Sequence, residues 1–362
     1  MKNRILIISS EFPPLPGGIG NHAYNLGENL SKRNYMVNVL TDHRDVLKDK
    51  SFDSVLNFKV YRTKRYKLIF WSYIKRFLMA FSLVKSNDTI ILSGKFSLWL
   101  GGVLSLFFNR KFIGVVHGSE LNLNNKITRD FTKHCLKRFD RIIAVSSYTK
   151  SFLPSIDTPI IIINNGFNID SEERKQYSHV KRKEISLITV GNLTQRKGQH
   201  NLIRAIPLLK KHFSKVTYHI VGIPTDQLRI EALAQNLELL DSIQIQGMVT
   251  EVRKTELLLD SDIFVMLSEE IKSGDIEGFG IAILEGNHLG IPAIGAKGTG
   301  VEDAISENYS GFLVNSRDKK EVTQAILKIM EHHEAFSQQS ILWAEKFSWS
   351  NIVEQYIKVI EF

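Results

Sequence analysis

Twice in this chain a short apolar run stops at glycine and passes into a helical pattern, and that repeat limits the fold more than any other feature. Residues 4–9, RILIIS, read as a buried strand and run through EFPPLPGGIGN into a helical pattern over residues 22–33. Residues 185–190, ISLITV, run through GNLTQRKG into a second helix. A buried strand, a glycine turn and a helix form the opening of a parallel, doubly wound layer, with the glycines placed where backbone approaches a ligand. Residues 171–184, SEERKQYSHVKRKE, lie between the repeats and have the composition of a linker. A chain of 362 residues is also too long for one ordinary core. The expectation is an α/β protein of two Rossmann-like domains, residues 1–170 and 186–345.

Further strands follow the same rhythm. MVNVLT, DTIILS, KFIGVVHGSE and DRIIAV read as strands of the first half, and YHIVG, IQIQG, DIFVML and IPAIG as strands of the second. His117, Gly118 and Glu120 therefore fall at the carboxyl end of a strand, the edge at which open parallel sheets bind ligands. Ser146 and Ser147 are placed to cap a helix, and Asn165-Gly166 reads as a turn. His22 sits on the surface of the first helix as a possible acceptor contact.

The only cysteine, Cys135, excludes an internal disulfide framework and a cysteine-based zinc site. No leader peptide is expected, and no apolar run is long enough to span a bilayer. Charge is uneven: residues 1–180 hold 27 Lys and Arg against 14 Asp and Glu, whereas the remainder holds 20 against 24. The first half is thus expected to meet something anionic, with nucleic acid and an acidic bilayer as the two candidates. Residues 64–85 add a local reason. There Lys64, Arg65, Lys67, Lys75, Arg76 and Lys85 mix with Phe70, Trp71, Tyr73, Phe77 and Phe81, and helical spacing puts Ser72, Lys75, Arg76, Ser82 and Lys85 on one basic outer face, an amphipathic pattern that suits either a membrane interface or packing on a sheet.

The segment EGFGIAILEGNHLG, residues 277–290, carries the chemistry. If Gly280 opens a helix, the amides of Ile281 and its neighbours point outward unpaired and the helix dipole adds positive charge, which makes an anion site. Glu285 then lies one turn in while Glu277 remains on the loop. A carboxylate beside a phosphate is repulsive, so both glutamates are better suited to accepting hydroxyls on either side of it. In GNLTQRKG, Arg196 and Lys197 stand just before Gly198, and two cations beside free amides suit a diphosphate.

Segment 277–285 resembles the E-x7-E signature of retaining glycosyltransferases of the GT-B fold, in particular the large family four. In that family the first Glu approaches the donor sugar, the amides after the glycine hold the diphosphate and the second Glu binds the ribose. The resemblance extends to Gly17-Gly18, His117-Gly118, Asn165-Gly166 and Lys197-Gly198. It departs at Asn192, where the family has an arginine on the diphosphate, a charge that Arg196 is placed to replace. It implies two domains facing each other across a cleft and a helix, residues 348–362, that packs back on the first domain.

The implied activity is retaining transfer of a hexose from a nucleotide sugar; the basic, aromatic-rich first half points to a lipid-linked or surface-polysaccharide acceptor, and the lack of a DxD-like carboxylate cluster placed to hold a metal points to independence from metal. The resemblance implies catalytic roles for Glu277, His117 and Lys197. Donor contacts are expected from Gly17, Gly18, Asn192, Arg196, Lys197, Gly222, Met248, Val249, Glu277, Gly278, Phe279, Gly280, Ile281 and Glu285, and acceptor contacts from His22 and Glu120. No cofactor, no essential divalent metal and no nucleic-acid partner is expected, and the enzyme is expected to be cytoplasmic, on the inner face of the cell membrane. Alternatives are a nucleotide-sugar epimerase on the same fold and a silent partner subunit.

Overall fold

A computed structural model of the chain describes residues 3–14, 17–118, 120–121, 125–169, 183–271 and 277–362. Most of the linker expected at 171–184 lies outside them. The described chain divides into two compact units, the first built from Met1–Gly166 with Trp349–Phe362, the second from Phe167–Ser348.

The first unit is a seven-stranded parallel sheet of β1 (Arg4–Ser9), β2 (Met36–Asp42), β3 (Lys59–Thr63), β4 (Thr89–Ser93), β5 (Lys111–Val116), β6 (Arg141–Ala144) and β7 (Ile160–Ile162). Its order is β3-β2-β1-β4-β5-β6-β7. Ile5 to Ile8 of β1 are all fully buried, because helices cover both faces of a parallel sheet and leave no side for alternation. On one face Leu6, Ile8, Ile90, Leu92 and Phe112 pack against Ala80, Val84 and Leu98. The order reverses between β1 and β4, so the loops after these two strands diverge and leave a crevice.

The second unit repeats the plan with β8 (Glu184–Val190), β9 (Lys215–Val221), β10 (Ile243–Gly247), β11 (Ile263–Met266), β12 (Ala293–Ala296) and β13 (Gly311–Val314), ordered β10-β9-β8-β11-β12-β13. All pairings are parallel. Its reversal falls between β8 and β11.

Several local expectations change. The first helix runs Gly18–Lys32 and begins four residues earlier than the pattern suggested, since Asn21 N already donates to Gly17 O at 2.9 Å. Gly20 lies in its first turn, where an added Cβ would come within 3.1 Å of the Phe12 backbone. Within residues 64–85 only Ile69–Lys85 is helical, and Arg76, expected on a basic outer face, is 6% exposed. Phe70, Trp71, Tyr73 and Leu78 are the large apolar side chains exposed on that helix, where Lys75, Ser82 and Lys85 are exposed as well. Asn165-Gly166 makes no tight turn. Gly166 instead admits Trp349, whose ring would lie 2.7 Å from an added Cβ. Ser146 caps its helix through the Thr149 amide.

The helix Trp349–Glu361 completes the first unit. Tyr356 Oη bonds His22 Nε2 at 2.8 Å, and Glu354 takes Arg33 Nε at 2.5 Å. Among the described residues no helix is long and apolar enough to cross a membrane.

Candidate active site

In the second unit the loops after β8 and β11 flank the sheet reversal, where an open α/β sheet receives ligands. After β8 the chain turns at Gly191 and makes a short 3-10 turn, Gln195–Lys197. Gly198, at φ 71°, then starts the helix Gln199–Leu209. Only glycine fits there, because a Cβ would lie 1.7 Å from Leu267 O. The β8 loop is thereby pressed against the β11 loop. Glu269 N donates to Arg196 O at 2.9 Å and ties the two together.

Glu277 Oε2 receives Lys197 Nζ at 2.7 Å and Arg196 Nη1 as well. The three side chains are 11%, 12% and 20% exposed, respectively. Burial pushes the Glu277 carboxyl up, but Lys197 and Arg196 more than reverse that and hold it below the ordinary carboxylate range. Glu277 is therefore ionised and already occupied by the two cations nominated for a diphosphate.

Gly280, at φ 93° and ψ 52°, caps the helix Ile281–His288 as expected. Among the described residues the amides of Ile281 and Ala282 have no hydrogen-bond partner. Glu285 lies on this helix and accepts from Lys254 Nζ at 3.0 Å. Burial pulls the Lys254 ammonium down, and Glu285 and Glu251 outweigh it and raise it overall. Gly300 supports the loop from beneath, donating its amide to Glu277 O at 3.0 Å, and a Cβ there would meet Gly278 at 2.3 Å.

Not every nominated residue faces this site. Phe279, nominated as a donor contact, is 2% exposed with its ring against Phe347 at 5.9 Å, so its side chain is core that anchors the loop. Asn192 is exposed on the β8 loop and its carbonyl takes Gln199 Nε2. Gly222 closes β9 against Gly191, where a Cβ would lie 2.3 Å from Gly191 O. Met248, 72% exposed, and Val249 follow β10 at the sheet edge. Sequence reasoning missed Lys254 and the network in which Glu269 receives His200 Nε2 at 3.1 Å and Arg317 at 2.9 Å. Their sequence separations, 69 and 48 residues, left no local signal for it. Among the described residues no group of three or more His, Cys, Asp or Glu could hold a metal ion.

The first unit gathers the other candidates around the β1 and β4 loops. Gly17 precedes the first helix with Glu11 Oε2 only 2.5 Å from where its Cβ would be, while Gly18 is open. His117 follows β5 and its Nε2 bonds Ser93 Oγ at 2.9 Å. Burial lowers its imidazole to about 4, so it is neutral at pH 7. His22 is not on the surface as expected. It is 2% exposed, with its ring 5.0 Å from that of His117 and its Nε2 committed to Tyr356, so it is placed to hold the last helix rather than an acceptor. Glu120 is 3% exposed and accepts from His117 N at 2.5 Å. Burial raises its carboxyl.

Two family models match adjoining parts of the chain: Glycosyltransferase Family 4 over residues 16–171 and Glycosyl transferases group 1 over residues 170–341. An uncharacterised glycosyltransferase of Methanocaldococcus jannaschii is 27% identical, with 99% of this chain and 98% of that protein aligned. A GDP-mannose-dependent alpha-(1-6)-phosphatidylinositol monomannoside mannosyltransferase of Mycobacterium tuberculosis is 23% identical over 91% of this chain and 89% of its own. Among solved structures, Anabaena HepE in complex with UDP superposes with a TM-score of 0.80 at 17% identity, covering 99% of each chain. A lipopolysaccharide outer core galactosyltransferase, WaaB, gives 0.76 at 16% identity and the same coverage.

Proposed function

This chain belongs to the glycosyl transferases of group 1 and has their GT-B fold, and from that premise we propose that it transfers a hexose-type sugar, with retention, from a nucleoside diphosphate sugar to a lipid-linked or surface-polysaccharide acceptor. The observation that carries this reading is the cluster at the β8/β11 reversal. Two cations, two bare helix-start amides and an ionised glutamate share one loop junction.

In the proposed reaction the bond between the anomeric carbon and the phosphate oxygen breaks, and the electron pair leaves with the diphosphate. Lys197, Arg196 and the amides of Ile281 and Ala282 stabilise the charge that grows there, an interaction stronger in the transition state than before it. Glu277 accepts a hydroxyl of the donor sugar and Glu285 the ribose hydroxyls. The acceptor hydroxyl attacks from the face the phosphate leaves and passes its proton to a departing phosphate oxygen, which gives retention without a covalent glycosyl-enzyme. His117, neutral at pH 7, acts as a hydrogen-bonding partner of the sugar, not as a cation. Leaving-group charge is assigned wholly to side chains and amides, so the reading expects turnover in the presence of a chelator.

The relatives' names support a nucleotide donor, with UDP bound to one and GDP-mannose used by another. The test is a thermal-shift panel of UDP- and GDP-sugars, followed by product analysis with candidate acceptors in EDTA. A donor that stabilises the protein and yields an α-linked product is expected. Absence of any nucleotide-induced shift, or a trapped covalent glycosyl-enzyme, would overturn the reading. Turnover of donor without an acceptor would assign an epimerase instead.

A further inference from the structure

The crevice of the first sheet is also built for a ligand. A cavity of about 570 Å³ opens there, lined by the β1 loop at Ser10 and Glu11, the β2 end at Asp42 and Arg44, and the β4 end at Gly94 and Lys95. Arg65, Lys67, Arg76 and Glu120 complete its charged wall. Asp42 accepts Arg76 at 3.2 Å and approaches Arg65 at 3.6 Å. Among the described residues Arg44, Lys67 and Lys95 have no ion-pair partner. Arg76 is buried and held by Ser9 O at 2.9 Å, yet its Nε has no partner. Glu120 is equally buried, with Oε2 unpartnered. Buried polar atoms in this state call for a partner, and a ligand in the cavity that both residues line would supply one.

A second cavity of about 430 Å³ adjoins the first and shares Tyr73, Arg76 and Phe96 with it. It is otherwise apolar, walled by Phe77, Trp99, Leu100, Val103 and Phe131. The rings run in series, Tyr73 to Phe96 at 5.7 Å, Phe96 to Trp99 at 5.5 Å and Trp99 to Phe131 at 5.6 Å. Trp99 Nε1 is already taken by Thr132 Oγ1 at 2.8 Å, so the indole offers only its apolar surface. Tyr73, Phe96 and Phe131 remain 42%, 43% and 41% exposed.

We propose that this pair of cavities binds a single-chain lipid phosphate, with the phosphate among Arg44, Lys67 and Arg76 and the hydrocarbon along the aromatic trough. Arg44 and Lys67, which have no ion-pair partner among the described residues, and the unpartnered Nε of Arg76 complement a phosphate. The trough joins them directly and presents one channel, so one chain fits and a second would remain in water. Glu120, on the same cavity, repels phosphate and so is left for a hydroxyl of the head group. This rests on the glycosyltransferase reading above and deepens it by giving the acceptor's chemical class and its place on the first unit.

The experiment is calorimetry on the full chain with dodecyl phosphate below its micellar concentration, against inorganic phosphate and dodecyl maltoside. Dodecyl phosphate is expected to bind at least about tenfold tighter than either control. Phe131→Asp, at the exposed rim, should reduce it to the level of inorganic phosphate, and the Arg44→Glu/Lys67→Glu pair to the level of the maltoside. Phe96→Asp serves in place of Phe131→Asp if the latter lowers the melting temperature. Equal binding of dodecyl phosphate and either control, no binding, or unchanged binding in a folded rim variant would overturn the proposal. UDP and GDP titrations run in parallel report on the donor site, so failure of the lipid site is distinguishable from failure of the donor reading.

Discussion

Replacing Glu277 by Gln separates two roles that the folded chain gives to one carboxylate. Its Oε2 holds Lys197 Nζ at 2.7 Å and Arg196 Nη1 in a pocket where all three side chains are at most 20% exposed. At an effective dielectric of about 20, a unit-charge pair at that separation attracts by roughly 6 kcal/mol before desolvation is counted. The net worth of a hydrogen bond to a charged group is about 1.5–3 kcal/mol. A diphosphate entering the site must recruit the same two cations against that hold. Gln keeps the shape and removes the competing charge, so nucleoside diphosphate should bind tighter by about 1–2 kcal/mol, or roughly five- to thirtyfold in Kd. Transfer should fall by about 10²–10³, because the charged acceptor for the sugar hydroxyl is lost where the transition state needs it. The assay is calorimetric titration of UDP and GDP into both proteins, beside steady-state kcat with the donor that the thermal-shift panel identifies. If Glu277→Gln weakens nucleoside diphosphate as much as Lys197→Ala does, the cations are not the diphosphate ligands and the reasoning fails.

Three further outcomes follow from the geometry. The Glu277 carboxyl is depressed below its ordinary value of 4.5, so its stabilisation is fully present above that pH and disappears as pH falls through the folded value. Wild-type melting temperature should therefore drop more steeply than that of Glu277→Gln on acidification below about pH 4.5, and parallel curves would refute it. Gly198→Ala forces a Cβ into Leu267 O at a φ of 71° and should cost at least about 1–3 kcal/mol in a denaturant titration while displacing Lys197. A neutral cost would mean that the β8 loop is free to move. Imidazole NMR should show His117 neutral down to about pH 5, given its value of about 4, and titration near pH 6.5 would contradict its burial.

Much of the site was legible because its parts are local. Gly280 before an apolar run predicts a helix start, and the amides of Ile281 and Ala282 then follow from backbone geometry alone. Two strand–glycine–helix repeats likewise announce two doubly wound sheets. What sequence could not show is which distant side chains meet. Glu277 is paired with residues 80 and 81 positions away, Glu285 with Lys254, and Glu269 with His200 and Arg317. Helical spacing placed Arg76 on an outer face, but a turned-in Asp42 and the Ser9 carbonyl give it a buried berth. His22 was misplaced for a similar reason, since the partner that buries it lies 334 residues further on.

That last contact bears on how the protein is made. Tyr356, which fills the space beside His22 and occupies its Nε2, belongs to the final helix, Trp349–Glu361. A ribosome delivers it only after the whole of Phe167–Ser348 has emerged. The unit whose sheet is synthesised first is thus completed last, and the interposed unit has all its own residues before the earlier one does. A chain truncated after Ser348 and released should contain a protease-resistant second unit while its amino-terminal part stays open to cleavage.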